Sequence, residues 1–161
     1  MRLMYWIHRK TDLARTGLIV LATGLLSLGA HTPSEAQKLN SALVSGGDVV
    51  ELAISADSQR VVYRADQDTN GVDELYSVPI GGGTVTQLNS ALVSGGVVIA
   101  QLISANSLRV VYTADQDTND VLELYSVPIG GGTATKLNSA LGSNGDVFEL
   151  KISADSLRAV Y

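Results

Sequence analysis

The residues best suited to chemistry in this sequence are oxygen-bearing side chains at alternate positions of a loop that occurs twice. In each copy the order is Asp-x-Asp-x-Asn, the first half of a calcium-binding loop, in which alternating oxygens wrap one hard cation. The candidate calcium ligands are Asp66, Asp68 and Asn70 in the first copy and Asp115, Asp117 and Asn119 in the second. The sequence indicates no other cofactor.

The second half of a calcium-binding loop is missing from both copies. Such loops hold a bidentate Glu at their twelfth position, which is Ser77 in the first copy and Ser126 in the second. Asn70 and Gly71 are also typical of a tight hairpin turn, because both residues tolerate positive φ. The second copy has Asp120 in place of the glycine. The sequence therefore favours a plain hairpin turn, with calcium binding as the alternative.

Catalytic groups are scarce in the part of the chain that is expected to fold. From Gln37 onward there is no His, Cys, Trp or Met, which excludes Ser-His-Asp and Cys-His catalysis and zinc sites built on His or Cys. Paired carboxylates perform acid–base hydrolysis only from distinct environments within one cleft. Every acidic cluster here recurs as a repeat turn, so we predict no catalytic residues and no enzymatic activity.

The charge of the chain excludes nucleic acid as a partner. The whole sequence has a formal net charge of -5. Residues 37–161 hold seven Lys or Arg residues against fourteen Asp or Glu residues. An anionic surface of this size repels phosphate backbones.

The first 36 residues have the composition of an export signal. Residues 1–15 are rich in Arg and Lys, and residues 17–28, GLIVLATGLLSL, form an uncharged apolar run. This run fits the roughly 7 to 15 residues of a signal-peptide core and is shorter than the roughly 20 residues of a membrane-spanning helix. Ser34 and Ala36 fit the small-residue cleavage pattern. We therefore predict a signal peptide and a mature chain that begins at Gln37, in the periplasm or outside the cell, with no membrane span. An uncleaved N-terminal anchor is the alternative.

Residues 37–161 repeat one sequence about two and a half times. Residues 38–86 and 87–135 are identical at 37 of 49 positions, and residues 136–161 match the first copy at 20 of 26. A period between roughly 20 and 50 residues is typical of solenoids and propellers, in which each unit buries its apolar faces against its neighbours.

Short β-strands are predicted inside each repeat, since runs rich in Val, Ile, Leu and Tyr alternate with turn signals. In the first copy they span residues 49–55, 60–65, 74–80 and 84–88. Val61 and Tyr63 share one face of their strand and Val62 occupies the other, as in a sheet that is packed on both sides. Four antiparallel strands in about 40 to 50 residues are typical of a propeller blade, so the predicted fold class is all-β.

These segments resemble the WD40-like β-propeller repeat of the TolB type. That family's pattern runs from a Ser-Pro-Asp-Gly turn and a basic, apolar strand through an Asp-rich turn and a Glu-Leu-Tyr strand to a Gly-Gly turn. The corresponding segments are ISADSQRVVY at residues 54–63, ADQD at 65–68, ELYSV at 74–78 and GG at 81–82. The resemblance covers residues 37–161 and implies a propeller. Ala56 and Ser58 depart from it, because the family has Pro and Gly there. The N-terminal α/β domain of TolB has no counterpart in these segments, so TolB's partners are not implied.

Two polar positions recur around the first turn of each repeat. Asp57, Asn106 and Asp155 are predicted to bond nearby backbone N–H groups. Arg60, Arg109 and Arg158 follow three residues later. They either tie one blade to the next through an Asp carboxylate or carry an exposed charge at a strand end.

The strand count indicates an incomplete β-propeller of about two and a half four-stranded blades with a 49-residue period. Propellers close with roughly 4 to 8 blades. The count includes a strand at residues 38–40, which would be the outer strand of another blade. We therefore expect this chain to be the N-terminal part of a longer exported propeller.

The predicted function is a non-catalytic scaffold that binds a protein or a glycan through rim loops such as residues 39–47. One alternative is the propeller domain of a larger hydrolase or peptidase. The other is a calcium-binding repeat protein.

Overall fold

The structure is a computed structural model and describes residues 36–142 and 145–161. These residues form two four-stranded sheets and one two-stranded sheet, all antiparallel. In the described part of the chain, no helix reaches the length and hydrophobicity needed to span a bilayer. The predicted signal peptide lies outside the described residues, apart from Ala36.

Each sheet is built from strands that follow one another along the chain. The first blade consists of β1 (Val49–Ile54), β2 (Arg60–Ala65), β3 (Glu74–Pro79) and β4 (Thr86–Gln87). The second blade consists of β5 (Val98–Ile103), β6 (Arg109–Ala114), β7 (Glu123–Pro128) and β8 (Thr135–Lys136). A partial third blade contains β9 (Lys151–Ile152) and β10 (Ala159–Val160). β3 and β7 both end at a proline, which has no N–H to donate to the ladder.

The second blade repeats the register of the first at a spacing of 49 residues. Tyr63 pairs with Tyr76 between β2 and β3, and Tyr112 pairs with Tyr125 between β6 and β7. In both pairs the rings are stacked, with centroids 5.3 Å apart. The all-β fold, the four-stranded blades and the predicted period are therefore confirmed.

Both faces of the central strands are buried, as the alternation of apolar residues predicts. We call the face that carries Val61 and Tyr63 the front face of a blade, and the face that carries Val62 the back face. The back face of the first blade, formed by Val62, Leu75 and Leu88, packs against the front face of the second in one apolar core. The back face of the second blade packs in turn against the partial third blade.

The front face of the first blade has no blade in front of it within the described residues. Leu39 and Leu43, from the segment before β1, cover part of it. Leu52 of β1 remains 62% exposed, whereas Gln101, which occupies the equivalent position of β5, is 5% exposed. The two front faces thus share most of their residues, and only the second is covered by another blade.

Polar contacts reinforce the stacking of the blades. Val98 N–H donates to the Asp73 carbonyl at 2.8 Å. The Arg64 guanidinium reaches from β2 to the carbonyls of Val98, at 3.1 Å, and of Ile99. Arg64 therefore forms a contact between blades, through backbone carbonyls and not through the Asp carboxylate proposed for Arg60 and its equivalents.

Arg60 and Arg109 do not tie one blade to the next. Each donates from Nε to a serine of its own sheet, Ser77 at 2.8 Å and Ser126 at 2.7 Å. The reason is geometric, because these arginines begin β2 and β6, opposite the ends of β3 and β7. Binding through an Asp carboxylate of the neighbouring blade was thus a wrong interpretation for these two residues.

The turn before β2 has the predicted hydrogen bonds. Asp57 Oδ1 accepts from the Gln59 N–H at 3.0 Å and from the Ser55 hydroxyl at 2.6 Å. The Ser55 hydrogen bond, followed by that from Gln59, lowers the pKa of Asp57. Asn106 and Asp155 bond in the same way in the later repeats. The prediction that these residues shape the turn is confirmed.

Serine occupies the position where the resembling family has a turn glycine. Ser58, Ser107 and Ser156 adopt φ values of 56°, 60° and 61°, in the left-handed region that favours glycine. The serine hydroxyl makes a contact that glycine lacks, because Ser107 Oγ accepts from the Asp57 N–H of the preceding blade at 3.1 Å. Ser156 accepts in the same way from Asn106, at 3.0 Å.

The strand predicted at residues 38–40 does not form. The equivalent residues 87–89 are held by the neighbouring β3, since Leu88 N–H donates to the Leu75 carbonyl at 2.7 Å. No strand of the described chain lies beside residues 38–40 to supply such a partner, and an unpaired strand is not stable in water.

Candidate functional site

The loop between β2 and β3 carries the candidate calcium ligands, and the structure gives Asp66 a structural role. Its Oδ1 accepts from the Asp48 N–H, and its Oδ2 accepts from the Gly71 N–H at 2.8 Å. These backbone hydrogen bonds, with Gly71 first, lower the pKa of the Asp66 carboxyl. Asp115 makes the equivalent bonds to Val97 and Asp120 in the second blade. Both carboxylates hold the hairpin to the segment before the blade's first strand.

The asparagines of the same loops lie against that segment as well. A side chain at Gly46 would meet Asn70 Oδ1 at 2.8 Å, and Gly46 has a φ of 85°. Gly95 lies against Asn119 in the same way. Glycine is favoured at both positions because their φ values lie in the left-handed region.

In the first loop, the two acidic candidate calcium ligands, Asp66 and Asp68, bond to different partners within the fold. Among residues 36–142 and 145–161, no group of three or more His, Cys, Asp or Glu side chains is arranged to hold a metal ion. Asp66 and Asp115 use both carboxylate oxygens within the fold, whereas Asp68 and Asp117 face a different set of partners. Calcium binding stays a prediction.

Asp68 belongs to a cluster around the Tyr76 hydroxyl. This hydroxyl lies 3.0 Å from Asp68 Oδ2 and 2.9 Å from Glu74 Oε2, so its single proton serves two carboxylates. Burial, followed by the hydrogen bond to Glu74, raises the pKa of Tyr76, and the phenol stays protonated as a donor. On the other side of the cluster, Gln87 Nε2 of β4 donates to Glu74 Oε1 at 2.6 Å.

The second blade contains the same cluster with one changed residue. Tyr125 donates to Glu123 at 3.0 Å, and Asp117 occupies the position of Asp68. Lys136 replaces Gln87 and forms ion pairs with Glu123 and with Asp117, the latter at 3.5 Å. The hydrogen bond to Glu123 is the largest cause of a raised pKa for Lys136, so the ammonium stays charged. The two clusters therefore differ by one positive charge.

A groove of about 580 Å³ opens beside the cluster of the first blade. Glu74 and Gln87 line it on the side of the first blade, and the segment from Ala91 to Gly96, which leads to the second blade, forms another wall. The Gln116 side chain anchors the start of this segment by accepting from the Ser90 N–H at 3.1 Å. We call this depression the rim groove.

Asp68 and the linking segments were predicted from the sequence as candidate binding features. The clustering of Glu74, Tyr76 and Gln87 was not predicted. The sequence does contain a signal. The position of Gln87 is Lys38 in the first copy and Lys136 in the third, so the neutral residue is the exception. The difference at this position points to the cluster only once Gln87 is known to pair with Tyr76 between β4 and β3.

Comparisons with known proteins identify one family. The family model described as the lipoprotein LpqB beta-propeller domain matches residues 25–161. A solved structure of a protein described as TolB, from Agrobacterium tumefaciens, is similar with a TM-score of 0.45 and 15% identity. The match covers 58% of this chain and 34% of that chain, so this chain spans about a third of that structure. No curated protein matches the sequence. Because the family model covers well over half of the residues, the chain belongs to the lipoprotein LpqB beta-propeller domain family.

Proposed function

We propose that this chain is an exported, non-catalytic propeller protein that binds a partner protein through the rim groove. The observation that carries the proposal is the groove itself, which lies where two blades meet and is walled by a segment linking them. Connecting segments held by a rigid scaffold are the usual place for binding residues.

The acidic groups beside the groove support binding rather than catalysis. General acid and base roles require two groups in environments that separate their pKa values. Asp68 and Glu74 instead share one hydroxyl, and in the second blade the tyrosine hydroxyl again donates to the glutamate. A polar cluster that recurs at equivalent positions of two blades suits recognition, with Gln87 in the first and Lys136 in the second as the difference between them.

A photo-reactive amino acid at Ser94 tests partner binding. Ser94 lines the groove and is exposed. We expect illumination of the exported full-length chain to give one discrete cross-linked protein. The same amino acid at Ala105, an exposed residue in the turn between β5 and β6, serves as the control. Equal products from both positions, or none from Ser94, would contradict the proposal.

Export is tested separately by N-terminal sequencing of the protein recovered outside the cytoplasm. The basic and apolar composition of residues 1–28 supports a cleaved leader. We expect the recovered chain to begin at Gln37. A chain that begins at Met1, or that stays in the cytoplasm, would contradict cleavage or export respectively.

A further inference from the structure

The second blade shows what the carboxylate cluster binds. Lys136 places its ammonium group between Glu123 and Asp117, within 3.5 Å of the Asp117 carboxylate. Glu123 is only 5% exposed, so its charge needs a partner inside the fold. An ammonium group offsets the negative charge of the two carboxylates and donates N–H hydrogen bonds to their oxygens.

The first blade presents the same carboxylates without the ammonium group. Asp68, Glu74 and Tyr76 correspond to Asp117, Glu123 and Tyr125 at the 49-residue spacing, and in both blades the tyrosine hydroxyl donates to the glutamate. The Gln87 amide donates one hydrogen bond to Glu74 but carries no charge. Within the part of the chain that the structure describes, the first cluster therefore holds two carboxylates and no cation.

The position of Gln87 makes this cluster accessible from outside. Glu74 and Gln87 both line the rim groove, and Asp68 and Gln87 are exposed. In the second blade the ammonium arrives from the β8 position of the same chain. In the first blade an external ammonium group that displaces the exposed Gln87 side chain can reach Glu74 from the groove, and Asp68 beside it from solvent.

We propose that Asp68 and Glu74 bind a primary ammonium group, supplied by a lysine side chain of the partner protein in the rim groove. The choice of a lysine rests on the proposed function, since it names the partner's chemistry. The preference for an ammonium group rests only on the comparison of the two blades. A primary ammonium fits because the equivalent carboxylates already ligate one.

The test titrates the full-length chain with n-butylammonium and follows backbone and side-chain amide signals by NMR. We expect saturable shifts at Glu74 and Gln87 in the unmodified chain. Gln87→Lys supplies a tethered ammonium, as Lys136 does, and should weaken butylammonium binding by about tenfold or more. Lys136→Gln removes the tethered group and should create a second set of shifts around Glu123.

Three results would overturn the ammonium site. The first is equal binding by the unmodified chain and by Gln87→Lys, with the amide spectrum showing both to be folded. The second is equal binding of tetramethylammonium, which has the charge but no N–H donor. The third is saturation by calcium chloride without a response to butylammonium, which would assign the cluster to a metal ion.

The cross-linking experiment separates this inference from the proposed function. If Ser94 captures a protein in the unmodified chain and the yield falls in Gln87→Lys, the lysine contact is supported. If the yield is unchanged, partner binding stands and the lysine contact is wrong. If Ser94 captures nothing while butylammonium binds, the ammonium site stands and the proposed partner binding is wrong.

Discussion

Replacing Leu88 with alanine tests whether adjacent blades stabilise each other through one apolar interface. Leu88 is 2% exposed and lies in the core between the first and second blades. Burying a leucine side chain is worth about 1.5–3 kcal/mol, and the cavity left by truncation brings the cost of Leu→Ala to about 2–5 kcal/mol. We expect Leu88→Ala to lower the free energy of unfolding by about 3 kcal/mol.

The repeat offers a matched control at Leu137, the same position one blade later. Leu137 is 42% exposed, because the partial third blade covers it incompletely. Truncation there leaves a space that is open to water instead of a closed cavity, so we expect a cost of about 1 kcal/mol. Urea unfolding followed by circular dichroism measures both variants. Costs that agree within about 0.5 kcal/mol, or a larger cost for Leu137→Ala, would refute the role assigned to the interface.

Three further predictions follow from contacts within the blades. Ser58→Gly and Ser107→Gly relieve the same left-handed conformation, but within the described residues only Ser107 accepts a hydrogen bond from the Asp57 N–H. We therefore expect thermal unfolding to show Ser107→Gly about 0.5–1.5 kcal/mol less stable than Ser58→Gly. Equal stabilities would contradict that contact. Burial raises the pKa of Tyr63 to about 12, above its unfolded value of 10.0. The stability that the buried neutral phenol of Tyr63 contributes should be complete below about pH 10 and lost as the pH rises through about 12. Phenolate absorbance and the loss of circular dichroism should therefore appear together. Ionisation of every tyrosine near pH 10 in the folded protein would show that Tyr63 is accessible. Because both carboxylate oxygens of Asp66 accept from backbone N–H groups, millimolar calcium should leave the thermal midpoint unchanged, and a rise of several degrees would instead establish calcium binding.

Local sequence patterns predict the strands well because each strand's own residues determine its character. The run at residues 60–65 alternates between two apolar environments, and β2 spans these residues as predicted. The turn at Asp57 is equally local, since its partners Ser55 and Gln59 are two residues away.

The predictions that failed concern partners distant in the chain. Residues 38–40 have the composition of a strand, but a strand also needs a neighbour, and composition does not show whether one is present. Arg60 and Arg64 are both basic residues on β2, and only the stacking of the blades determines that Arg64 reaches Val98. The cluster around Tyr76 was missed for the same reason, because Gln87 joins it only through the pairing of β4 with β3.

The near-identical front faces of the two blades have a consequence for how the chain folds. Val61, Tyr63 and Ala65 of the first blade are repeated as Val110, Tyr112 and Ala114 of the second. A back face can therefore make nearly the same contacts with the front face of either blade, in its own molecule or in a neighbouring one. During refolding, the short linking segment favours contact with the adjacent blade of the same chain, and raising the protein concentration favours the intermolecular contact. We expect the yield of monomer to fall as refolding concentration increases, which light scattering measures. The repeat thus extends the stack of sheets within one chain, and it also leaves a surface on which a blade of another molecule can dock.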